Sequence, residues 1–301
     1  MQGSKLKYFL QLHLIVFIWG FTAILGALIS IDAVPLVWFR MLLAVIFILL
    51  YFIVKKKKFL IDKKTLLKFL FTGIIIALHW ITFFKAIKVS NVSIALVTMS
   101  TGAFFTSLIE PLFFKRRIKP IEMLLGLLVI GGLYIIFNFE TQYYLGIIYA
   151  LISAFLAALF SVLNGIFIKK TAADVISFYQ LFFGVAFVTV FLFFTDSFTL
   201  NFFNLKMSDW FYLLILSSIC TAYAFIVSVK IMKHLTPYTV MLTINLEPVY
   251  AIILALFIFG DKEKMNPEFY YGAFIVLFVV LLNGIIKNRG AIHQKMKKNK
   301  T

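Results

Sequence analysis

The chain has 301 residues, of which 63% are hydrophobic and only 14% are charged, and its mean hydropathy is +1.03. Soluble domains average about 25% charged residues, so the composition excludes a soluble globular protein and indicates a bilayer as the solvent. The net charge of +17 does not indicate nucleic-acid binding, because the basic residues cluster in short breaks between apolar runs. The single cysteine, Cys220, excludes an internal disulfide and a zinc cluster.

Apolar runs of membrane-spanning length recur along the whole chain. A spanning helix needs about 20 mostly apolar residues, and the sequence predicts ten of them. In chain order they cover approximately residues 9–30, 34–54, 68–87, 92–114, 120–138, 145–168, 176–195, 209–232, 236–259 and 267–286. The first run is too long for a signal peptide, so we expect it to be a membrane helix. The predicted fold class is therefore an all-α polytopic membrane protein.

Lysine and arginine predict the orientation of these helices. Basic residues are concentrated at the breaks that share a side with the N-terminus, above all in residues 55–68, in residues 115–119 and after Lys287. Cytoplasmic loops carry such an excess. We therefore expect a multi-pass protein of the inner cell membrane with both termini cytoplasmic, and residues 291–301 as a basic cytoplasmic tail.

Two stretches of the chain repeat. Residues 85–104 align without gaps with residues 230–249, and residues 35–41 align with residues 175–181 in the same order. The repeat unit contains five helices, and an odd number of helices makes the second unit enter the membrane in the opposite direction. The sequence thus predicts two inverted five-helix repeats, residues 1–140 and 141–290, as in many secondary transporters.

Several ordered motifs resemble one family. These are WGFTAILGALI at 19–29, PLVWFR at 35–40, HWITFFKAIKVSNVSIAL at 79–96 and NLEPVYAIILALFIFGDKE at 245–263. Together they resemble the EamA-type members of the drug/metabolite transporter superfamily, over nearly the whole chain. The resemblance implies the five-plus-five layout and a transport function. One departure is that the family usually has a proline where the repeat alignment places Ala103, whereas here the proline is Pro111.

Two Glu-Pro pairs lie inside apolar runs. Glu247-Pro248 falls near the middle of the ninth predicted helix, where an ionisable residue is costly and is a functional candidate by default. Pro248 should kink the helix and free a backbone carbonyl. The alternative for Glu247 is a paired structural role. Glu110-Pro111 lies closer to the basic cytoplasmic rim, where salt bridges or helix dipoles explain Glu110 adequately. Neutralising Glu247 should therefore affect transport more than neutralising Glu110.

Other polar and aromatic residues at membrane depth are candidates for a substrate cavity. Arg40 is suited to binding a carboxylate or to gating, although a structural tie is the stronger expectation, and Gln180 is its repeat counterpart. The remaining candidates are aromatic or small polar residues at helical positions: Trp19, His79, Trp80, Tyr179, Ser100, Thr101 and Asn245. For each one alone, packing is the stronger expectation. As a cluster at the repeat interface, the small polar residues are the expected binding surface. Pro111 and Pro248 are the candidate hinges.

No nucleotide-binding motif or catalytic constellation is found, so we predict a non-enzymatic protein without cofactor or metal. The expected function is secondary-active, alternating-access transport of small metabolites such as amino acids or drug-like amphiphiles. Export is the first choice, and proton coupling is one option. The alternatives are a membrane enzyme acting on lipid-borne groups and a non-transporting scaffold or sensor. Expected partners are a small-molecule substrate, the lipid bilayer and, as an open option, a second copy of the chain. A polar central pocket containing Glu247 would favour the transporter.

Overall fold

A computed structural model describes residues 2–115, 120–279 and 281–282. The described chain consists of helices and their connections, without strands. The helices are α1 Gln2–Leu28, α2 Ala33–Val54, α3 Lys63–Val89, α4 Val92–Met99, α5 Gly102–Phe114, α6 Pro120–Phe139, α7 Tyr144–Phe167, α8 Ala173–Phe194, α9 Met207–Ser217, α10 Ala224–Ile231, α11 Pro237–Ile244, α12 Glu247–Phe259 and α13 Pro267–Val279. The predicted basic tail, 291–301, lies outside the described residues.

Eight helical segments of the described chain are long and apolar enough to cross a membrane. Two further apolar helices are shorter in their described parts, Leu127–Phe139 and Pro267–Val279. Eight of the ten predicted spans are thus confirmed by length and composition, and the fifth and tenth are confirmed only as apolar helices. Large apolar side chains are exposed around the bundle, including Phe194 at 80% and Phe257 at 85%, as expected of a surface that lipid covers.

Local capping sets several helix boundaries. The Asp62 carboxylate accepts a hydrogen bond from Thr65 N at 2.9 Å, which explains why α3 begins at Lys63 and not near residue 68 as predicted. The Asn91 side chain caps α4 through Ile94 N. Thr236 caps α11, and Pro237 occupies the first turn, where its missing N–H costs little.

The fourth and ninth spans are broken near their middles. The fourth span breaks at Ser100–Thr101, between α4 and α5. The ninth span breaks at Asn245–Leu246, between α11 and α12. Pro248 lies in the first turn of α12, so it starts a new helix where a kink was predicted. The first break has no proline. There the hydroxyls of Ser100 and Thr101 bond to the Leu96 and Thr98 carbonyls and compete with the helical ladder. Pro111 lies inside α5, which continues through it.

The two halves of the chain pack against each other along much of their length. α3 packs on α7 and α8, α2 on α8, and α1 on α12. The α3–α8 crossing is close, because a Cβ atom added to Gly73 would lie 2.4 Å from the Gln180 carbonyl oxygen and 3.1 Å from Gly184 N. Small residues at such crossings allow backbones to approach in the membrane.

Successive spans are joined by short connections and alternate in direction. We call the end of the bundle where α1 begins the N-terminal face and the end where α1 finishes the distal face. At the N-terminal face, Lys57 forms an ion pair with Asp174, which ties the α2–α3 connection to the start of α8. This hydrogen bond raises the pKa of the Lys57 ammonium above its ordinary value of 10.5.

Candidate functional site

A cavity of about 100 Å³ lies between the two halves at the level of the helix breaks. One water needs about 10–15 Å³ by this measure, so the cavity holds several waters or one small molecule. Both halves contribute to its wall: Trp19, Thr22, Arg40, His79, Trp80, Phe83, Leu96, Met99, Ser100, Ala157, Phe160, Ser161, Asn164, Cys220, Phe225, Ser228, Met232, Val240, Met241, Ile244, Asn245, Glu247 and Pro248.

Arg40 is a buried cation on the wall of this cavity, with 2% of its surface exposed. Its Nε donates a hydrogen bond of 2.7 Å to the Thr221 hydroxyl. Its guanidinium carbon lies 3.9 Å from the centre of the Trp80 ring, a cation–π contact that fixes its plane. Arg40 Nη1 has no hydrogen-bond partner among the described residues. One donor of a firmly held guanidinium is therefore free for a ligand.

The Thr221 hydroxyl is positioned by an irregular helical turn. Residues Ser218–Tyr223 between α9 and α10 form a π-helical turn, in which Thr221 Oγ1 donates to the Leu216 carbonyl at 2.7 Å. The Trp19 indole donates to the Cys220 carbonyl of the same turn at 3.1 Å. Single π turns inside α-helices occur often at functional sites. Here the turn connects Trp19 and Arg40 of the first half to the second half.

Glu247 lies at the break of the ninth span and borders the cavity. It is the first residue of α12, so the positive end of the α12 dipole stabilises its negative charge. The carboxylate also interacts electrostatically with Arg40 across the cavity. Asn245 precedes it, and the Asn245 Nδ2 atom is buried with no hydrogen-bond partner in the described structure. The break thus presents one acidic group and one amide donor.

Asn164 and Gln180 form a buried amide pair on the second half. Gln180 Nε2 donates to Asn164 Oδ1 at 2.7 Å, and neither residue has any exposed surface. Asn164 belongs to the cavity wall, and its Nδ2 atom has no partner within the described part of the chain. Gln180 therefore holds Asn164 by one oxygen and leaves its amide donor free.

Comparison with known proteins identifies the family of the chain. The EamA-like transporter family matches residues 6–138 and 144–285. The chain belongs to this family. One solved crystal structure, titled only as that of a protein, has a TM-score of 0.68 with this EamA-like protein at 14% identity and covers 94% of this chain and 98% of its own. That likeness shows the fold alone. No curated protein sequence matches the chain significantly.

Most residues predicted for the site of this EamA-like protein lie on the cavity wall. These are Trp19, Arg40, His79, Trp80, Ser100, Asn245, Glu247 and Pro248. His79 is also anchored to the second half, since its Nδ1 lies 2.8 Å from the Ser153 hydroxyl. Among the residues that the structure describes, no group of three or more His, Cys, Asp and Glu is placed to hold a metal ion.

Four predicted residues lie outside the cavity wall. Gln180 acts on the wall through Asn164. Tyr179 packs against Phe69 and Phe183. Thr101 and Pro111 belong to the helix break and to the interior of α5. These residues lie on helix faces that contact other packing partners. Sequence spacing alone does not reveal which face of a helix lines the cavity.

Several wall residues were absent from the predicted site. Phe225 is the repeat counterpart of Trp80, and the two rings meet edge to face on the cavity wall with their centres 6.1 Å apart. Extending the gapless repeat alignment toward the N-terminus pairs Phe225 with Trp80, so the sequence did contain an indication for Phe225. Asn164 and Ser161 also border the cavity. No sequence signal indicates Thr221, because its role follows from the π-helical turn.

Proposed function

We propose that this EamA-like protein is a secondary-active transporter of small metabolites that carry both an ammonium and a carboxylate, such as amino acids. The observation that supports this most directly is the polar complement of the cavity. Three donors without protein partners in the described structure border it, on Arg40, Asn164 and Asn245. Glu247 supplies the opposite charge. A buried donor without an acceptor destabilises the protein. A ligand or water in the cavity would supply that acceptor.

The distribution of these groups suits a zwitterion. A carboxylate can accept from the Arg40 guanidinium and from an amide, and Arg favours carboxylates because of its planar donors. A ligand ammonium can pair with Glu247. The α5 helix begins beside the cavity with no acidic residue in its first turn, so its dipole adds positive potential. The aromatic rings of Trp19, Trp80 and Phe225 would enclose the apolar remainder.

The volume of the cavity favours a compact substrate. A cavity of about 100 Å³ accommodates several waters, and drug-sized ligands occupy pockets of roughly 300–1,000 Å³. An amino acid therefore fits the proposal better than a large amphiphile. A polar pocket containing Glu247 also supports a carrier over a scaffold, for which a dry centre would be expected. No observation favours an enzyme acting on lipid-borne groups.

The mechanism we propose is alternating access between two inverted five-helix repeats, residues 1–140 and 141–290, with ten membrane-spanning helices. The N-terminal face would be cytoplasmic, following the basic residues. The cavity lies between the halves at the level of both helix breaks, as substrate sites do in transporters built from inverted repeats. Export is the proposed direction, and Glu247 is the proposed group for proton exchange.

A matched substrate series tests this function. Purified protein in proteoliposomes is offered L-leucine, isopentylamine, which lacks the carboxylate, and 4-methylpentanoate, which lacks the amine. We expect flux per substrate concentration to be at least about tenfold higher for L-leucine than for either analogue, because each analogue leaves one charged wall group unpaired. Equal flux of all three, or flux of none, would refute the proposed substrate class.

Variants assign the charges within that series. Glu247→Gln should abolish the preference for L-leucine over 4-methylpentanoate and the response to a pH gradient. Asp261→Asn is the matched control, because the Asp261 side chain is 88% exposed and remote from the cavity wall. If the flux of Glu247→Gln still depends on pH as in the parent, Glu247 has no role in proton coupling.

A further inference from the structure

Glu263 joins the second half of the chain to the first at the distal face. Its carboxylate accepts hydrogen bonds from Val92 N at 3.0 Å, from Ser93 N at 3.0 Å and from the Ser93 hydroxyl at 2.7 Å. Val92 begins α4, so the carboxylate of one half caps a helix of the other. Glu263 is 4% exposed, and charge-assisted hydrogen bonds are roughly twice as strong as neutral ones.

Glu110 makes the corresponding connection at the N-terminal face. Its carboxylate accepts a hydrogen bond of 3.1 Å from Tyr238 N, in the first turn of α11. Glu110 is 7% exposed, so it is buried between the halves and not held only at a basic rim, as its sequence position suggested. Here a carboxylate of the first half caps a helix of the second. The functional counterpart of Glu110 is thus Glu263 and not Glu247.

The two capped helices are the short halves of the broken spans. α4 and α11 each have 8 residues and end at the breaks that border the cavity. α4 packs on α12 at the distal face, and α11 packs on α5 at the N-terminal face. Each short helix therefore lies between the cavity and one face, and its outer end is held by a glutamate of the opposite half.

We infer that Glu110 and Glu263 are the gating residues of the transport cycle, one for each face. Release of α11 from Glu110 opens the cavity toward the N-terminal face, and release of α4 from Glu263 opens it toward the distal face. Both caps are closed in this structure. Since neither carboxylate borders the cavity, both act on access and not on substrate recognition. These roles rest on the proposed transport function.

The chain contains its own reporter for this inference. Cys220 is the only cysteine in the sequence and borders the cavity. A small, charged, membrane-impermeant methanethiosulfonate reaches it only when the cavity opens to the face where the reagent is applied. Labelling rates are measured separately from each face, in right-side-out and inverted membrane vesicles. Ser100→Cys in the Cys220→Ser background provides a second reporter on the opposite half.

The two neutralising variants should act on opposite faces. Gln has nearly the shape of Glu but loses the charge-assisted part of the bonds, so we expect an increase of about 5- to 20-fold in labelling rate. Glu110→Gln should raise labelling from the N-terminal face only, and Glu263→Gln from the distal face only. Ser93→Ala, which removes one of three bonds to Glu263, should raise distal labelling by a smaller factor.

Matched controls remove carboxylates that do not join the halves. Asp62→Asn removes a helix cap at the N-terminal face within the first half, and Asp261→Asn removes an exposed carboxylate near Glu263. Neither should change labelling from either face. If Glu110→Gln and Glu263→Gln raise labelling from the same face, or match these controls, the gating roles are refuted. Ser93→Ala keeps this test decisive if a glutamate variant does not fold.

Labelling does not require a transported substrate, so the two proposals fail separately. Face-specific labelling in a protein that moves no member of the leucine series would support the gates and refute the proposed substrate class. Unchanged labelling in variants of a protein that does transport L-leucine would refute the gates alone.

Discussion

The buried amide pair offers a test that separates packing from function. Leucine approximates the size of both amide side chains but cannot hydrogen-bond. Gln180→Leu leaves both polar atoms of Asn164 unpaired, and Asn164→Leu leaves both polar atoms of Gln180 unpaired. Both sites have no exposed surface, so water does not replace the lost partner outside the cavity.

The structure gives the expected size of each effect. Leaving a buried polar group unsatisfied costs about 1–3 kcal/mol, whereas replacing both partners by apolar groups is nearly neutral. Each single variant should therefore lower the free energy of unfolding by about 1–3 kcal/mol. The double variant should lie within about 1 kcal/mol of the parent. The double variant is then more stable than either single one, which independent sites cannot produce.

The free energy of unfolding is measured by SDS titration in mixed micelles, followed by tryptophan fluorescence. Flux of L-leucine in proteoliposomes is measured on the same variants. The double variant should fold but transport with a KM raised by about tenfold, since the free Asn164 donor is missing from the cavity. A double variant with the summed destabilisation of the singles would refute the coupling. Unchanged KM would remove Asn164 from substrate contact.

Three further predictions concern contacts between the halves. Gly73→Ala should lower the free energy of unfolding by about 1–3 kcal/mol, because the added Cβ meets backbone atoms of α8. Gly131→Ala has open space around it and should leave the free energy of unfolding unchanged. SDS titration measures both variants. Thr221→Val should raise the KM for L-leucine by about tenfold, because it frees the buried Arg40 Nε, and Thr221→Ser should restore it. Lys57→Met should lower stability by less than about 1 kcal/mol, because the Lys57 side chain is 40% exposed and solvent screens its charge. The raised Lys57 pKa keeps that contribution fully present below pH 10.5, and it is lost as the pH rises through the folded-state pKa; stability at pH 8 and pH 11 checks this.

The sequence by itself indicated that this protein lies in a bilayer, where its helices run and that the chain contains a repeat. Apolar runs of spanning length can place their backbone in a bilayer only as helices, so hydropathy predicted the spans. Capping residues set several helix starts, because caps act within one turn. The breaks of the fourth and ninth spans were predicted only in part. Pro248 signalled the second, while hydroxyl bonds at Ser100 and Thr101 produce the first.

The sequence also indicated part of the site. Charged or polar residues at membrane depth are costly, and this cost identified Arg40 and Glu247 as candidates before their surroundings were known. The tertiary structure decided what each residue contacts. Thr221 with Arg40 and Asn164 with Gln180 are pairings between different helices, set by helix rotation and by a π-helical turn that no local pattern encodes.

The two Glu-Pro pairs show the same division. Hydropathy placed Glu247 deep and Glu110 near one face, and in the structure Glu247 lies near the middle of the ninth span and Glu110 near the end of the fourth. Only the packing of α11 on α5 and of α4 on α12 joined Glu110 to Tyr238 and Glu263 to Val92. Depth follows from the composition of one segment, because each helix meets the bilayer on its own. Partner choice requires the faces of two distant segments to meet, and that is fixed only when the whole bundle packs.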